Sequence, residues 1–209
     1  MIPIQMAMSE LAGAAAAVKT LFRELSAKDA ARTLVLVMID KALGRPWNEL
    51  PPPADTQETL SRRQIGPAAL LERRLRESVP PERARELVRE IVIVGAVDFL
   101  SRNVPPMKKK DILNMDERER EGFMKSIKEK FFNADADMVV EGDEALNMRV
   151  TRCRFVELLD AIGEKEMAPV FCEGDRIFFD ERQPEVSLER PETISRGDEI
   201  CDFRFKWLG

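Results

Sequence analysis

The pattern of apolar residues changes near residue 132, where strand-like segments first appear, and this change restricts the fold more than any other feature of the sequence. Before it, apolar residues recur at helical spacing, as Phe123, Ile127 and Phe131 do at intervals of four. After it, the segment 200–207 alternates apolar and polar side chains in the manner of a half-buried strand. We therefore predict an α+β fold, with N-terminal helices followed by a small antiparallel β-sheet with inserted helices.

Capping residues, prolines and turn residues in the sequence predict where each helix and strand begins and ends. Helices are predicted from the cap Ser9 to Leu25, over 29–43, 65–79, 81–100 and 115–132, and, within the last third, over 155–163 and 165–179. Strands are predicted at 135–141, 145–153, 186–190 and 200–207, with a turn at 142–144 joining the first two. The segment 45–64 contains three consecutive prolines and is predicted to be a loop.

This loop is the best candidate for a domain boundary. It separates a helical hairpin at 1–50 from an α+β domain at 51–209. Within the hairpin, the run Leu34–Ile39 is apolar on every side of a helix and must be buried on several of them. A contact between two copies of the chain or a groove within one copy would each satisfy this requirement. The hairpin is therefore a candidate element for homodimerisation.

Composition restricts the partners and the location. The 33 basic and 38 acidic residues are mixed along the chain and give a formal charge of -5, so nucleic acid is not an expected ligand. The N-terminus lacks the basic start of a secretion signal, and no apolar run approaches the roughly 20 residues that a membrane-spanning helix needs. We expect a cytoplasmic protein with no membrane partner and with three reduced cysteines.

Two absences restrict the chemistry. The chain contains no histidine and no tyrosine, which excludes Ser-His-Asp and Cys-His catalysis and phenolic acids. Carboxylates, thiols, hydroxyls and basic side chains remain. The three cysteines, Cys153, Cys172 and Cys201, are too far apart in the sequence to form a C-x-x-C motif, so we assign no metal and no other cofactor. If the fold brought the three thiols together, they could still bind a metal.

The pair Cys172 and Asp175 is the most informative local arrangement. Three residues apart on a helix, the two side chains share a side, and the carboxylate disfavours the thiolate. One of Arg176, Arg190 or Arg204 would have to offset that effect. Asp175 is therefore the better candidate to orient or deprotonate water, while Cys172 lines the pocket.

Near the C-terminus, Gly197 and Asp198 predict a tight turn between two strands. In the strand that follows, Cys201 shares a face with aromatic side chains and is predicted to pack in the core. Asp202 then faces the opposite side, so it can act in one pocket with Cys201 only if the strand bulges or lies at an edge.

Several of these motifs together resemble a known family. They are Cys153, FVELLDAIGEKEMAPVFCEGD at 155–175, Glu189-Arg190, TISRGD at 193–198 and CDFRF at 201–205. In combination they are similar to the L-2-amino-thiazoline-4-carboxylic acid hydrolase family across roughly residues 152–207, and more loosely over 66–99. Pro191 stands where the family tends to have threonine, and proline predicts an edge or bulged strand there.

The resemblance implies a hydrolase that adds water to the carbon between nitrogen and sulfur of a cyclic amidine, which gives N-carbamoyl-L-cysteine. In that interpretation Asp175 is the base, Arg190 binds the substrate carboxylate, and Cys172 or Thr193 donates a hydrogen bond to the departing sulfur. Four further positions match the family motif and are assigned to substrate binding: Cys153, Asp198, Cys201 and Asp202.

A second function stays open at this point. A helical start followed by a small sheet that ends in a G-D-x-x-C-x-F strand also resembles small-molecule-sensing domains related to bacteriochlorophyll vinyl-reductase accessory proteins. That resemblance implies a noncatalytic domain whose cysteine-lined pocket binds a small molecule or a metal.

Overall fold

The computed structural model describes residues 4–141 and 145–208 and confirms the α+β fold. A mostly helical N-terminal part precedes a four-stranded antiparallel sheet with inserted helices. The helices of the first part are α1 (Ile4–Glu24), α2 (Ala27–Ala42), α3 (Thr56–Leu75), α4 (Pro81–Asn103), α5 (Lys109–Leu113) and α6 (Glu117–Lys128). No helix among the described residues is long and apolar enough to cross a bilayer.

The first two helices begin earlier than their sequence signals indicated. Helix α1 already starts at Ile4, and the predicted cap Ser9 lies inside it, where its hydroxyl donates to Asp98 on α4 at 2.8 Å. Helix α2 is capped by Ser26, whose side chain accepts from the backbone N–H of Asp29. Helix α1 packs along α4 and α2 against α3, whereas the proposed domain division at residue 50 stays a prediction.

The predicted loop at 45–64 was wrong in its second half, because α3 begins at Thr56. Its first turn is capped by the side chain of Asp55, which accepts from the backbone N–H of Glu58 at 2.6 Å. The first turn is polar and mostly exposed, and the next turn holds Arg62, which is 8% exposed and donates to Glu58 and to the carbonyl of Pro51. A helix held by capping and ion pairs has no apolar periodicity from which to predict it.

The sheet consists of β1 (Ala134–Glu141), β2 (Ala145–Cys153), β3 (Val186–Glu189) and β4 (Cys201–Trp207), in the order β1-β2-β4-β3. All neighbouring strands are antiparallel. Helices α7 (Arg154–Ala161) and α8 (Ala168–Arg182) are inserted between β2 and β3. The predicted turn at 142–144 lies outside the described residues.

The alternation predicted for β4 is confirmed. Cys201, Phe203 and Phe205 are buried, whereas Arg204 and Lys206 are exposed on the other face. The buried face packs against α8, where Phe179 lies 5.0 Å from Phe205 between ring centroids. This packing forms a second apolar core, next to the core of the helical part.

Helix α8 lies close against α4, and glycine makes this contact possible. A β-carbon at position 174 would lie 2.5 Å from the β-carbon of Ala96, closer than two such atoms can approach. Gly174 therefore sets the distance between the two helices. It also precedes Asp175 directly, so the same contact fixes where the carboxylate of the candidate site lies.

Candidate functional site

The candidate site lies where the end of β2, helix α8 and the segment between β3 and β4 meet. Cys153 is the last residue of β2, and Cys172 and Asp175 lie on α8. The strand β3 is an edge strand that ends at Glu189, as the proline at 191 predicted. The chain then returns over α8 and brings Arg190 to the carboxylate.

Asp175 and Arg190 form the central pair. Arg190 Nη1 donates to Asp175 Oδ2 at 2.9 Å, and Nη2 donates to the backbone carbonyl of Cys172 at 2.6 Å. The guanidinium carbon also lies 5.0 Å from the ring centroid of Phe203 on β4, a cation–π distance. The Arg190 side chain is only 13% exposed, so one largely buried cation joins α8 to the sheet.

Burial tunes the carboxyl group of Asp175. It raises the pKa of Asp175 to about 6, because the surrounding protein disfavours the charged form by more than the adjacent Arg190 favours it. A group with such a pKa exists in both protonation states near neutral pH. Asp175 can therefore accept a proton from water and return it within one reaction cycle.

The sequence left three arginines as partners for this carboxylate, and the structure selects Arg190. Arg176 donates to Asp180 on the exposed side of α8, and Arg204 donates to Asp202 on β4. Helical spacing correctly placed Cys172 near Asp175, but it does not show which residue from outside α8 approaches the carboxylate.

Cys172 is a thiol rather than a thiolate. Burial raises its pKa to about 12, and the charge of Asp175 adds to this effect while Arg190 opposes it. Its sulfur donates to Ser195 Oγ at 3.3 Å. Ser195 is a site residue that the sequence analysis did not single out, although it lies within the TISRGD motif. The thiol can donate a hydrogen bond but is a poor nucleophile at neutral pH.

The other two thiols are also held in the protonated form. Burial raises the pKa of Cys153, although the backbone N–H groups at the start of α7 oppose it. Burial likewise raises the pKa of Cys201, whose sulfur accepts from the backbone N–H of Ile194 at 3.3 Å. A charge on Cys153 would raise the pKa of both Cys172 and Cys201, so Cys153 lies within electrostatic range of each of the other two thiols.

All three cysteines are free, and their proximity does not produce a metal site in the part of the chain that the structure describes. No cluster of three or more cysteine and acidic side chains there is arranged to hold a metal ion.

Three further predicted site residues, Thr193, Asp198 and Asp202, lie in or near the segment between β3 and β4. Thr193 is buried, and its backbone N–H donates to Asp198 Oδ2 at 2.7 Å. Gly197 adopts a φ of 105°, so the predicted turn is present and Asp198 closes it. Asp202 extends from the opposite face of β4 from Cys201 and pairs with Arg204. The assignment of Asp198 and Asp202 to substrate binding stays a prediction.

Asp175 also borders a small apolar cavity between the sheet, α8 and α6. Its volume is about 20 Å³, room for about one water molecule. The lining side chains are Val104, Met107, Met124, Ile127, Phe131, Met148, Asp175, Phe179, Phe203 and Phe205. Asp175 is the one polar residue in that lining, but the cavity surface itself is entirely apolar, so Asp175 borders the cavity without turning its carboxyl oxygens into it.

The fold and these contacts define an α+β protein with a carboxylate–guanidinium pair beside protonated thiols at the edge of an apolar cavity. A protein-family model described as L-2-amino-thiazoline-4-carboxylic acid hydrolase matches residues 60–205. This match covers more than half of the chain, and the protein therefore belongs to that family. The resemblance found in the sequence is thereby confirmed. No curated protein and no solved structure matches the chain.

Proposed function

We propose that the protein hydrolyses a small cyclic amidine of the L-2-amino-thiazoline-4-carboxylate type, with Asp175 as general base. Family membership supports the class of substrate. The observation that carries the mechanism is the pKa of about 6 that burial gives to Asp175, because a general base works best when its pKa lies near the operating pH.

The reaction consumes one water molecule. Its oxygen attacks the ring carbon between nitrogen and sulfur while Asp175 accepts one of its protons. The bond from that carbon to sulfur then breaks, and the sulfur receives the proton back from Asp175. The second proton of the water moves from its oxygen to the former ring nitrogen, so that the carbon becomes the carbonyl of a urea. The product, N-carbamoyl-L-cysteine, differs from the substrate by the atoms of water alone, and no oxidant or reductant takes part.

Two other side chains assist in this proposal. Arg190 orients the base through Asp175 Oδ2, and its charge would attract the carboxylate of the substrate. The thiol of Cys172, which now donates to Ser195, can turn its hydrogen toward the departing sulfur. Thr193 remains a proposed second donor. Since the cavity is smaller than a five-membered ring, substrate binding requires the apolar wall beside Asp175 to open.

Ring opening releases a thiol, so a thiol reagent or mass spectrometry of the product can follow it. The wild-type protein should convert L-2-amino-thiazoline-4-carboxylate, and Asp175→Asn should lower kcat on the order of 100-fold or more. Asp180→Asn is the matched control, since Asp180 lies on the same helix, is 51% exposed and pairs with Arg176. It should retain full activity. No turnover at high protein concentration would reject this substrate, and equal activity of wild type and Asp175→Asn would reject the base.

A further inference from the structure

Helix α1 has a second apolar face that the rest of the described structure leaves largely exposed. The inner face packs along α4 and buries Met6, Thr20 and Leu21. The opposite face carries an exposed row of apolar side chains: Ile4, Met8, Leu11, Ala15, Val18 and Phe22. In this row, which we call the outer stripe, Ile4 and Leu11 are 70% and 71% exposed.

The spacing within the outer stripe is regular. Intervals of four and three residues alternate from Ile4 to Phe22, which is the a and d pattern of a heptad repeat. The positions on the inner side of the same repeat are Met6, Gly13 and Thr20, and Gly13 faces Gly95 where α1 and α4 meet. The core of the chain therefore needs only the inner face, and the outer stripe has the pattern that pairs one helix with another.

Exposed apolar side chains are concentrated in this part of the molecule. Of the twelve large apolar side chains exposed in the described structure, nine lie within residues 4–43. Four of these belong to α2 and the residue that follows it: Val35, Met38, Ile39 and Leu43. Of the run Leu34–Ile39, Val35, Met38 and Ile39 are exposed, so a groove within one copy does not cover them, and the alternative of a contact between two copies stays open.

The area is sufficient for an interface between two copies. At roughly 50–80 Å² of apolar surface from each side chain, the nine together supply about 450–700 Å² per protomer. A stable interface takes about 800 Å² from each partner, of which roughly 60% is apolar. The residues on α1 and α2 thus match the apolar area that a dimer of standard size needs.

Charge also favours a second copy over a membrane. Most charged groups of α1 are engaged within the chain: Glu10 binds Arg63, and Arg23 donates to Glu90 at 2.7 Å. Few basic side chains lie next to the outer stripe in the described structure: Lys19 on α1 and Arg102, which contacts Met8 Sδ at 3.6 Å and pairs with Asp98. Helices that lie on anionic membranes carry several. The net charge of -5 opposes binding to an anionic surface. An apolar seam with few charged neighbours is typical of the centre of a protein interface.

We propose that the outer stripe of α1 pairs with the same stripe of a second copy, with the exposed side of α2 at its border, and that the protein is a homodimer. This interface lies outside residues 60–205, the part that matches the family, and is independent of the proposed reaction. It would not involve α8, which carries Asp175 and packs separately against α4.

Sedimentation equilibrium of the full chain tests the proposal. We expect a mass of twice 23.8 kDa for the wild type, and a dissociation constant on the order of 100-fold higher for Leu11→Lys/Val18→Lys. The control is Leu113→Lys/Leu208→Lys, whose positions are 38% and 54% exposed outside the hairpin. This control should remain a dimer. Far-UV circular dichroism checks the fold, and Leu11→Ala, which adds no charge, provides a milder second variant.

A wild type that is monomeric up to about 100 µM, far above the dissociation constants of stable dimers, overturns the proposal. So does a dimer that persists in both α1 variants, or a control that dissociates equally. If the monomeric protein instead binds vesicles containing phosphatidylserine, the outer stripe serves a membrane surface and the proposal is wrong.

Discussion

Replacement of Gly174 by alanine should destabilise the protein, although alanine is the better helix former. The new β-carbon would lie 2.5 Å from that of Ala96, and such over-packing costs about 1–3 kcal/mol. The gain in helix propensity offsets about 1 kcal/mol of this. We therefore expect the free energy of unfolding to fall by as much as about 2 kcal/mol.

The background variant Ala96→Gly removes the clash. The nearest remaining atom of residue 96 is then its α-carbon, at 3.9 Å, which is an ordinary contact. In that background Gly174→Ala should stabilise the protein by about 1 kcal/mol, so the sign of the effect reverses. Urea denaturation of the four proteins in this cycle measures the coupling between the two sites, with an expected value of about 1–3 kcal/mol.

The same cycle bears on function, because Gly174 adjoins Asp175. If the α4–α8 contact positions the carboxylate, Gly174→Ala should lower kcat in the wild-type background and leave it nearly unchanged beside Ala96→Gly. An effect on stability of the same sign and size in both backgrounds would refute the packing argument. It would mean that α8 shifts away from α4 at little cost.

Two further predictions concern buried ionisable groups. A pKa of about 12 makes the thiolate fraction of Cys172 about 1,000-fold smaller than that of an ordinary cysteine at neutral pH, so iodoacetamide should modify it slowly in the folded protein. Asp175→Asn should accelerate that alkylation, measured by peptide mass spectrometry, and a rate that Asp175→Asn does not change would contradict the electrostatic cause. On α3, burial raises the pKa of Glu72, which has no exposed surface and whose Oε2 has no hydrogen-bond partner among the described residues. Its folded state holds the proton more tightly than the unfolded state, so this contribution to stability is present at low pH and is lost as the pH rises through the folded pKa. Urea denaturation of Glu72→Gln and wild type should therefore show a difference that shifts in favour of the variant as the pH rises above the ordinary pKa of a glutamate, about 4.5, and a constant difference would contradict this reasoning.

The sequence predicted the elements whose stability comes from an apolar face. The alternation in β4 and the spacing of Phe155, Leu158 and Leu159 in α7 follow directly from burial on one side, and both are present. The start of α3 was missed because Asp55, Glu58 and Arg62 hold it through polar contacts. Polar residues in a sequence do not reveal whether they are buried.

In the candidate site, too, the sequence predicted the contacts that follow from local spacing and missed those that depend on the fold. The neighbourhood of Cys172 and Asp175 follows from helical spacing, and the structure contains it. The choice of Arg190 as partner depends on how the chain returns over α8 after β3, a long-range relation that no local spacing encodes. The shift in the pKa of Asp175 depends on apolar neighbours from β4 and α6, which only the folded chain brings together.

The dependence of kcat/KM on pH tests the central claim, that Asp175 is the base of a hydrolytic reaction. Its raised pKa predicts that kcat/KM for L-2-amino-thiazoline-4-carboxylate rises with pH and levels off above an apparent pKa near 6. In Asp175→Asn the residual activity should lose this step, whereas Asp180→Asn should keep it. A wild-type profile that is flat between about pH 5 and pH 8, or a step that survives in Asp175→Asn, would contradict the account.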